Sequence, residues 1–456
     1  MKAGIGACPF RSRFRLIVLA SALPRLRAIA SIAHAGIPVH AKILSSAITN
    51  RFKNNFIPFG IILFGIKYYI CFMKDSPFIY GTTVSTHSFT NREKETLKLK
   101  ANLLNGINTM LISPRRWGKS SLVEKVMADI HRKDKKIKTV MIDLFSVGSE
   151  EEFLETYARE VIKASSTRWQ EWMTSGSLFF KKLIPKLSLG IDPYNDFSLS
   201  FDWKELKKNS DEVLNLAESI AKKKGIKFII CLDEFQNLAS FNDYLDFEKK
   251  LRACWQRQKS VTYCLYGSKR HMMSDIFNNP SKPFYRFGDI MLLQKIEEKK
   301  WISFITKSFV GTQKSIDPKI AEMIPKLMKN HSWYVQQLAH YTWNLTHKKA
   351  TIKELNIALS ELINANSPLY QKETENISHT QLNLLKAVAK AETQFTSTAV
   401  MQKYLLGTPR NVSKNKSILI NLDLIHEIDH KYEFLDPAFE LWFKKQYFNE
   451  GYIKSI

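Results

Sequence analysis

The most informative stretch of this chain is Ser113-Pro114-Arg115-Arg116-Trp117-Gly118-Lys119-Ser120-Ser121. An apolar run, Met110 to Ile112, precedes it, and an amphipathic run begins at Leu122. A strand, a loop and a helix in this order are the context in which a loop binds phosphate, because N–H groups of the loop and helix terminus converge there and the helix dipole favours an anion. The stretch therefore predicts a P-loop, in which Ser113 replaces the usual first glycine.

The residue types in this loop indicate how a nucleotide would be held. Lys119 would reach the β- and γ-phosphates, and the hydroxyl of Ser120 would hold Mg²⁺. We therefore expect ATP and Mg²⁺ as cofactors, with the whole stretch from Ser113 to Ser121 as the cofactor-binding segment.

A second apolar run, Lys227 to Leu232, ends in the carboxylates Asp233 and Glu234. A buried parallel strand brings its carboxyl end to the ligand crevice of an α/β sheet. We predict that Asp233 lies in the Mg²⁺ shell and that Glu234 orients and polarises the attacking water.

Two further residues complete the predicted catalytic set of Glu234, Lys119, Ser268 and Arg286. Ser268 follows a strand-like run and would touch the γ-phosphate or the water, or else cap the helix that begins near Lys269. Arg286 would be an arginine finger that completes the site of a neighbouring subunit, or else an ordinary surface arginine. The sequence leaves both choices open.

Hydrophobic periodicity divides the chain. Alternating strands and helices in 73–294 predict an α/β fold, a P-loop NTPase core with a doubly wound parallel sheet and a β-hairpin insertion near 186–202. Helical periodicity predicts an all-α lid over 295–366, and Ser367 to Glu375 is interpreted as a polar linker. Three helices and a strand pair in 376–448 predict a winged-helix domain.

A winged helix suggests contact with DNA through its third helix. Basic and amide side chains are available there, namely Arg410, Asn411, Lys414, Asn415 and Lys416. The predicted wing is acidic, with Glu427, Asp429 and Glu433, and would repel phosphates. DNA binding and a purely intramolecular or partner-binding role both remain open.

The charge of +25 is unevenly distributed. Residues 1–72 contain ten Lys or Arg and no acidic residue, so 58 of the 68 basic residues and all 43 acidic residues lie beyond them. This extension has the composition of a transit peptide, and its apolar run from Phe56 to Phe72 suggests a short, interrupted membrane anchor. We favour a third interpretation, that it is upstream mis-start sequence or a disordered leader and that the natural start is Met73.

The five cysteines show no disulfide or metal spacing (Cys8, Cys71, Cys231, Cys254 and Cys264). Such a pattern fits a reducing compartment, so we expect a cytoplasmic protein with no stable membrane association.

Several segments, in order and spacing, resemble one family. They are Pro77-Phe78-Ile79-Tyr80-Gly81, Phe89-Thr90-Asn91-Arg92-Glu93, residues 112–122, Leu232-Asp233-Glu234-Phe235-Gln236, Leu265-Tyr266-Gly267-Ser268, Pro283 to Phe287 and Asp436 to Trp442. The chain from Met73 to Phe448 is similar to the archaeal-type P-loop ATPases of the AAA+ superfamily, which are also found in Bacteroidetes-like bacteria and are adjacent to the STAND ATPases. The resemblance implies an ATP-binding core, a helical lid, a C-terminal winged helix and the usual nucleotide roles for Lys119, Ser120, Asp233 and Glu234.

The leading functional hypothesis is a Mg²⁺-dependent ATPase that acts as a nucleotide-controlled switch. The alternative is an ATP-gated DNA-binding regulator or mobile-element protein, which the basic surface favours mildly. A third is a protein-interaction scaffold with a relic P-loop, which would bind no ATP. A homo-oligomer or a protein partner is compatible with all three.

Overall fold

The fold was derived from a computed structural model that describes residues 75–82, 92–165, 186–189, 197–200, 209–428 and 431–452, with backbone alone for 186–189 and 197–200. The proposals for residues 1–72, and the predicted turn of the hairpin, lie outside these ranges.

The first half of the fold alternates strands and helices. Its elements are α1 Glu93–Leu104, β1 Thr109–Ile112, α2 Lys119–Lys133, β2 Ile137–Asp143, α3 Glu150–Ser165, β3 Lys186–Leu189, β4 Phe197–Ser200, α4 Ser210–Leu214, α5 Leu216–Lys224, β5 Lys227–Asp233, a 3₁₀ helix Phe235–Ser240, α6 Tyr244–Trp255, β6 Val261–Gly267, α7 Arg270–Asn278 and β7 Asp289–Leu292.

The second half is mainly helical. Its elements are α8 Glu298–Gly311, β8 Ser315–Ile316, α9 Pro318–Leu327, α10 Ser332–Leu345, β9 Lys349–Ala350, α11 Ile352–Glu375, α12 His379–Ala389, α13 Thr398–Tyr404, α14 Pro409–Asn421, β10 Ile425–Ile428, β11 Lys431–Phe434 and α15 Pro437–Phe448.

Five strands form a parallel sheet in the order β2-β5-β6-β1-β7. Because all five run in the same direction, their carboxyl ends lie along one edge, where ligands bind in such sheets. Strand β6 separates β1, which leads into the P-loop, from β5, which ends at Asp233. The segments after β1, β5 and β6 are therefore neighbours at this edge.

The sheet is covered by helices on both faces, as predicted for a doubly wound fold. Side chains alternate across each strand. Met110 and Ile112 of β1 belong to the apolar cluster that includes α3, α5 and α6, whereas Leu111 belongs to the cluster that includes α1 and α2. Strands β3 and β4 pair antiparallel and form a separate two-stranded sheet within the described residues.

The predicted polar linker over Ser367 to Glu375 is wrong. Helix α11, which is 24 residues long, continues through this segment to Glu375, with Pro368 inside. A proline inside a helix costs about 3 kcal/mol because it removes one hydrogen bond and crowds the preceding turn. Burial of Tyr370 against Phe439 offsets this cost, and Ser367 Oγ accepts a hydrogen bond from Trp442. Local composition cannot reveal such long-range packing.

The lid and the winged helix share one hydrophobic core. A single apolar cluster extends from α8 to α15 and takes in buried residues of α11 such as Leu362. Phe78, from the segment before α1, packs into the same cluster. We call residues 298–448 the lid–winged-helix body. One departure from an all-helical lid is the short parallel pair β8–β9, formed where the loops after α8 and α10 run side by side.

Helices α12, α13 and α14, followed by the antiparallel pair β10–β11, have the predicted winged-helix order. The third helix begins at Pro409 because Thr408 caps it and Pro409 occupies its first turn. No helix in the described ranges is long and apolar enough to cross a membrane.

Candidate nucleotide-binding site

The P-loop has the backbone geometry of an anion site. Gly118 is the N-cap of α2 with φ 91°, a left-handed conformation that favours glycine. The N–H groups of Lys119, Ser120 and Ser121 come next, and the first N–H groups of a helix have no intrahelical acceptor. The loop therefore ends in donors that can bind phosphate.

Ser113 is compatible with the position of the usual glycine. Its side chain is buried, and its hydroxyl donates a hydrogen bond to the Pro114 carbonyl at 3.1 Å. The extra polar atom is therefore paired inside the loop, where it imposes no unpaired burial cost.

The P-loop lysine and serine meet the two carboxylates at the end of β5. Lys119 Nζ lies 3.1 Å from Glu234 Oε1 and 3.8 Å from Asp233 Oδ1. Ser120 Oγ donates to Asp233 Oδ2 at 2.9 Å. These four predicted site residues, more than a hundred positions apart in sequence, form one cluster.

Their surroundings shift the pKa values of Asp233 and Glu234 in opposite directions. Burial raises the pKa of Asp233, and the opposing effects of Lys119 and Ser120 do not cancel it. Burial also acts to raise the pKa of Glu234, but Lys119 and hydrogen bonds from Gln236 and Ser268 outweigh it, so this pKa lies below its usual value. Glu234 is therefore ionised at neutral pH and is a hydrogen-bond acceptor.

Ser268 belongs to the site, and the alternative role as a helix cap is wrong. Its N–H and hydroxyl donate to Glu234 Oε2 at 3.1 and 2.8 Å, while Arg115 Nε donates to its hydroxyl at 3.3 Å. Helix α7 starts at Arg270 without a side-chain cap. Because β6 lies between β1 and β5, Ser268 is held between the P-loop and the carboxylates.

Gln236 is a site residue that the sequence analysis missed. Its Nε2 donates to the same oxygen of Glu234. A Cβ on Gly267 would lie 2.0 Å from Gln236 Oε1, so any larger residue there would displace the Gln236 amide. The sequence signal was present, since an amide follows the carboxylate pair by two positions.

The residues present fit a magnesium ion. Ser120 and Asp233 bring hydroxyl and carboxylate oxygens within 2.9 Å of each other at the start of a helix, and oxygen donors are what Mg²⁺ prefers.

Arg286 is not brought to this cluster. It precedes β7, so it lies at the amino edge of the sheet, opposite the P-loop, with its exposed guanidinium 5.1 Å from the Tyr285 ring. Within one chain it cannot reach the nucleotide site, and any role as a finger would have to be in a neighbouring subunit.

Comparison with solved structures identifies the fold that carries this site. A Walker-type ATPase of Pyrococcus abyssi superposes with a TM-score of 0.59 at 17% identity, covering 81% of this chain and 99% of that one. The chain has the fold of the Walker-type P-loop ATPases. The Aeropyrum pernix ORC2 protein in ADPNP–ADP complexes is also similar, with a TM-score of 0.48, 14% identity and coverage of 82% and 97%. The fold assignment rests on the Pyrococcus structure.

A family model described as a probable winged helix domain matches residues 368–445. The match begins inside α11, at Pro368, whereas the sequence-based division begins this domain at 376. No curated protein matched the sequence.

In this ATPase fold, the P-loop also contacts the lid. The Arg116 guanidinium lies 4.7 Å from the Trp333 ring centroid. The Trp117 and His331 rings are 6.5 Å apart at 84°, and Ser332 Oγ donates to the Trp117 carbonyl at 3.4 Å. The start of α10 therefore packs directly on the middle of the loop.

Arg92 is a second residue whose role was missed. It is buried at the start of α1, and its guanidinium donates to the carbonyls of Trp117 at 3.1 Å and of Gln294. It also pairs with Glu95 at 3.0 Å. This arginine fixes the P-loop against the segment that follows β7.

The proposed DNA-reading helix presents only part of the predicted set. Arg410, Asn411 and Lys414 are exposed on α14. Asn415 is buried, and Lys416 Nζ lies over two aromatic rings, 4.8 Å from Phe395 and 4.4 Å from Tyr432. Asp429 of the acidic wing lies outside the described residues.

Proposed function

We propose that this chain is a Mg²⁺-dependent ATP-binding protein and an ATPase that acts as a nucleotide-controlled switch. The observation that carries the proposal is the cluster of Lys119, Ser120, Asp233 and Glu234 at the N-terminus of α2. A structural turn needs no such convergence from separate strands.

In the proposed binding step, phosphate oxygens accept hydrogen bonds from the loop and from the first turn of α2. Lys119 is 3.1 Å from Glu234 in the structure and would turn towards the β- and γ-phosphates. This movement would release Glu234 from its strongest charge partner.

Ser120 and Asp233 would hold the magnesium ion. When bound, Mg²⁺ would neutralise the charge that develops on the phosphate groups during transfer. Burial of Asp233 makes its carboxylate a good partner for a cation, because a counter-charge relieves the cost of keeping it ionised there.

Glu234 would act on the attacking water. Ser268 and Gln236 hold its Oε2 from one side, so that Oε1, which Lys119 releases, is available to accept a proton or to orient the water. Ser268 is thus a positioning residue, since it would act through Glu234.

The test compares ATP binding and turnover in the full chain with those in Lys119→Ala and Glu234→Gln. Loss of a charge-assisted contact predicts binding weaker by about 10- to 150-fold for Lys119→Ala, equivalent to about 1.5–3 kcal/mol. For Glu234→Gln we expect retained binding and turnover slower by about 10²- to 10⁴-fold.

Lys135→Ala and Glu212→Gln, which alter exposed residues of the same types, are the matched controls and should behave as the parent. Turnover by Glu234→Gln at the parental rate would remove Glu234 from the mechanism. No ATP binding by the unaltered chain would favour the scaffold with a relic P-loop.

A second candidate function is ATP-gated DNA binding by a regulator or mobile-element protein. The exposed Arg410, Asn411 and Lys414 on α14 favour it. DNA binding must be measured with the full chain, because the winged helix and the lid share one hydrophobic core that includes Tyr370.

We also propose a cytoplasmic location, since Cys231, Cys254 and Cys264 are free and buried, as expected in a reducing compartment.

A further inference from the structure

We propose that Arg116 and Trp117 transmit the nucleotide state of the P-loop to the winged helix, through the start of α10 and Asp436. This inference rests on the proposed function, because it names how the same site would regulate the position of a distant surface.

Trp117 lies where loop and lid meet. Its ring is 5% exposed and packs against His331, while Lys295 Nζ lies 5.5 Å from its centroid. Its carbonyl accepts hydrogen bonds from Arg92 and Ser332. Its indole N–H has no hydrogen-bond partner in the described part of the chain, so packing alone holds the ring.

Arg116 provides the second contact. It has φ 63°, in the left-handed region that costs a non-glycine residue about 1–2 kcal/mol. Its guanidinium nevertheless remains over the Trp333 ring at 4.7 Å. Gly118, whose N–H belongs to the phosphate-binding end of the loop, follows two positions later. Closure of this loop on phosphate would therefore move both lid contacts.

From α10 the contacts continue into the winged helix. Tyr334 follows Trp333, and its hydroxyl donates to Asp436 Oδ2, which also lies 3.3 Å from the Tyr370 hydroxyl. The other oxygen, Oδ1, accepts from the N–H groups of Ala438 and Phe439 at 2.8 and 2.9 Å. One carboxylate thus joins α10, α11 and the first turn of α15.

The continuity of α11 makes this connection mechanical. Because α11 runs unbroken from the lid into the residues matched as winged helix, and one apolar cluster covers both, a displacement of the lid has a continuous packed path to the winged helix. A ligand shifts such an equilibrium only by its difference in affinity for two states, and couplings of this kind are typically about 5- to 150-fold.

The test measures backbone amide exchange in the full chain, with and without a non-hydrolysable ATP analogue and Mg²⁺. In the parent, the analogue should change exchange in α10 and in α14–α15 by at least about fivefold. Two variants outside the P-loop interrupt the route. Trp333→Leu removes the ring beneath Arg116, and Tyr334→Phe removes the hydroxyl that binds Asp436.

Both variants should still bind the analogue, with an affinity that differs from the parent's by no more than the coupling factor. In Trp333→Leu, most of the analogue-dependent change in amide exchange should disappear from α10 and from α14–α15. In Tyr334→Phe, this change should remain in α10 and disappear from α15. Arg252→Gln, which removes an arginine–ring contact inside the core, and Tyr432→Phe, which removes an exposed hydroxyl bond to Glu427, are the controls.

Unchanged responses of α14–α15 in both variants would overturn the inference. So would a parent that binds the analogue without any response there. A parent that does not bind the analogue at all contradicts the proposed function instead, which keeps the two failures distinct.

Discussion

The nucleotide site and the lid–winged-helix body are stabilised by different kinds of contact. At the site, charged and polar groups from three strand ends satisfy one another, as in the bonds from Lys119 and Ser268 to Glu234. The body relies on an apolar cluster, and several of its buried polar atoms lack partners among the described residues, including His331 Nδ1 and Gln336 Oε1. Substitutions at the site should therefore change binding, and substitutions in the body should change stability.

The largest effect is expected from Leu362→Ala in α11. Leu362 is fully buried, and removing a buried leucine costs about 2–5 kcal/mol of unfolding free energy. Because one core serves both modules, lid and winged helix should lose stability together while ATP affinity at a permissive temperature is kept. Denaturant unfolding and calorimetric ATP titration measure the two quantities.

Leu369→Ala, in the same helix but 53% exposed, is the matched control and should cost much less. Two separate unfolding transitions for lid and winged helix would contradict the claim that one core stabilises both.

A smaller effect is expected from Arg92→Met, which tests whether the buried Arg92 guanidinium supports ATP binding by holding the P-loop in place. Three hydrogen-bonding partners would lose the guanidinium, and bonds to charged groups contribute about 1.5–3 kcal/mol. ATP affinity should fall by about tenfold because the Trp117 carbonyl is no longer fixed. Titration calorimetry would measure it.

Lys98→Met, on the same helix, breaks a more exposed ion pair with Asp289 and should leave ATP affinity unchanged. Parental affinity in Arg92→Met would show that the P-loop needs no such support.

These contacts show what the sequence could and could not predict. The strand–loop–helix around Lys119 and the carboxylates after β5 follow from local patterns, and both were predicted. The role of Arg92 could not be predicted, because its bond to Gln294, 202 positions away, leaves no local trace. Arg286 is close to a strand, but only the parallel direction of β7 reveals that it lies at the edge opposite the P-loop of its own chain.

Acid should destabilise the body through His331. Burial, with Lys295 and Arg116 nearby, lowers the pKa of His331 to about 3. Below pH 6.5 the unfolded chain therefore binds a proton here that the folded protein does not, and stability falls as pH decreases towards 3. The free energy of unfolding, measured with urea, should fall between pH 7.5 and pH 5.0 in the parent. In His331→Gln this fall should be smaller by about 1–2 kcal/mol.

His347→Gln, at an exposed position, is the control. Because parent and variant are compared, other groups that titrate in this range cancel, such as Glu248, whose pKa burial raises to about 7. An unchanged pH dependence in His331→Gln would mean that this ring is not held neutral.

The smallest effect concerns DNA binding by the full chain. Lys414→Gln removes an exposed charge from α14, and should make the slope of log affinity against log salt shallower by about 0.9. Lys416→Gln should not, because burial lowers the pKa of Lys416 and its amine lies on two aromatic rings. Duplex binding by fluorescence anisotropy distinguishes them, and equal slopes in both variants would exclude this surface.

The unbroken α11 has a geometric consequence. At 1.5 Å per residue its 24 residues span about 36 Å, and the end that carries Tyr370 lies beside Tyr334, which follows the residue that contacts Arg116. A tilt of about 10° about this end would sweep the opposite end, near Ile352, through an arc of about 6 Å. Changes beside the phosphates would thus move the part of the lid around Ile352 farthest.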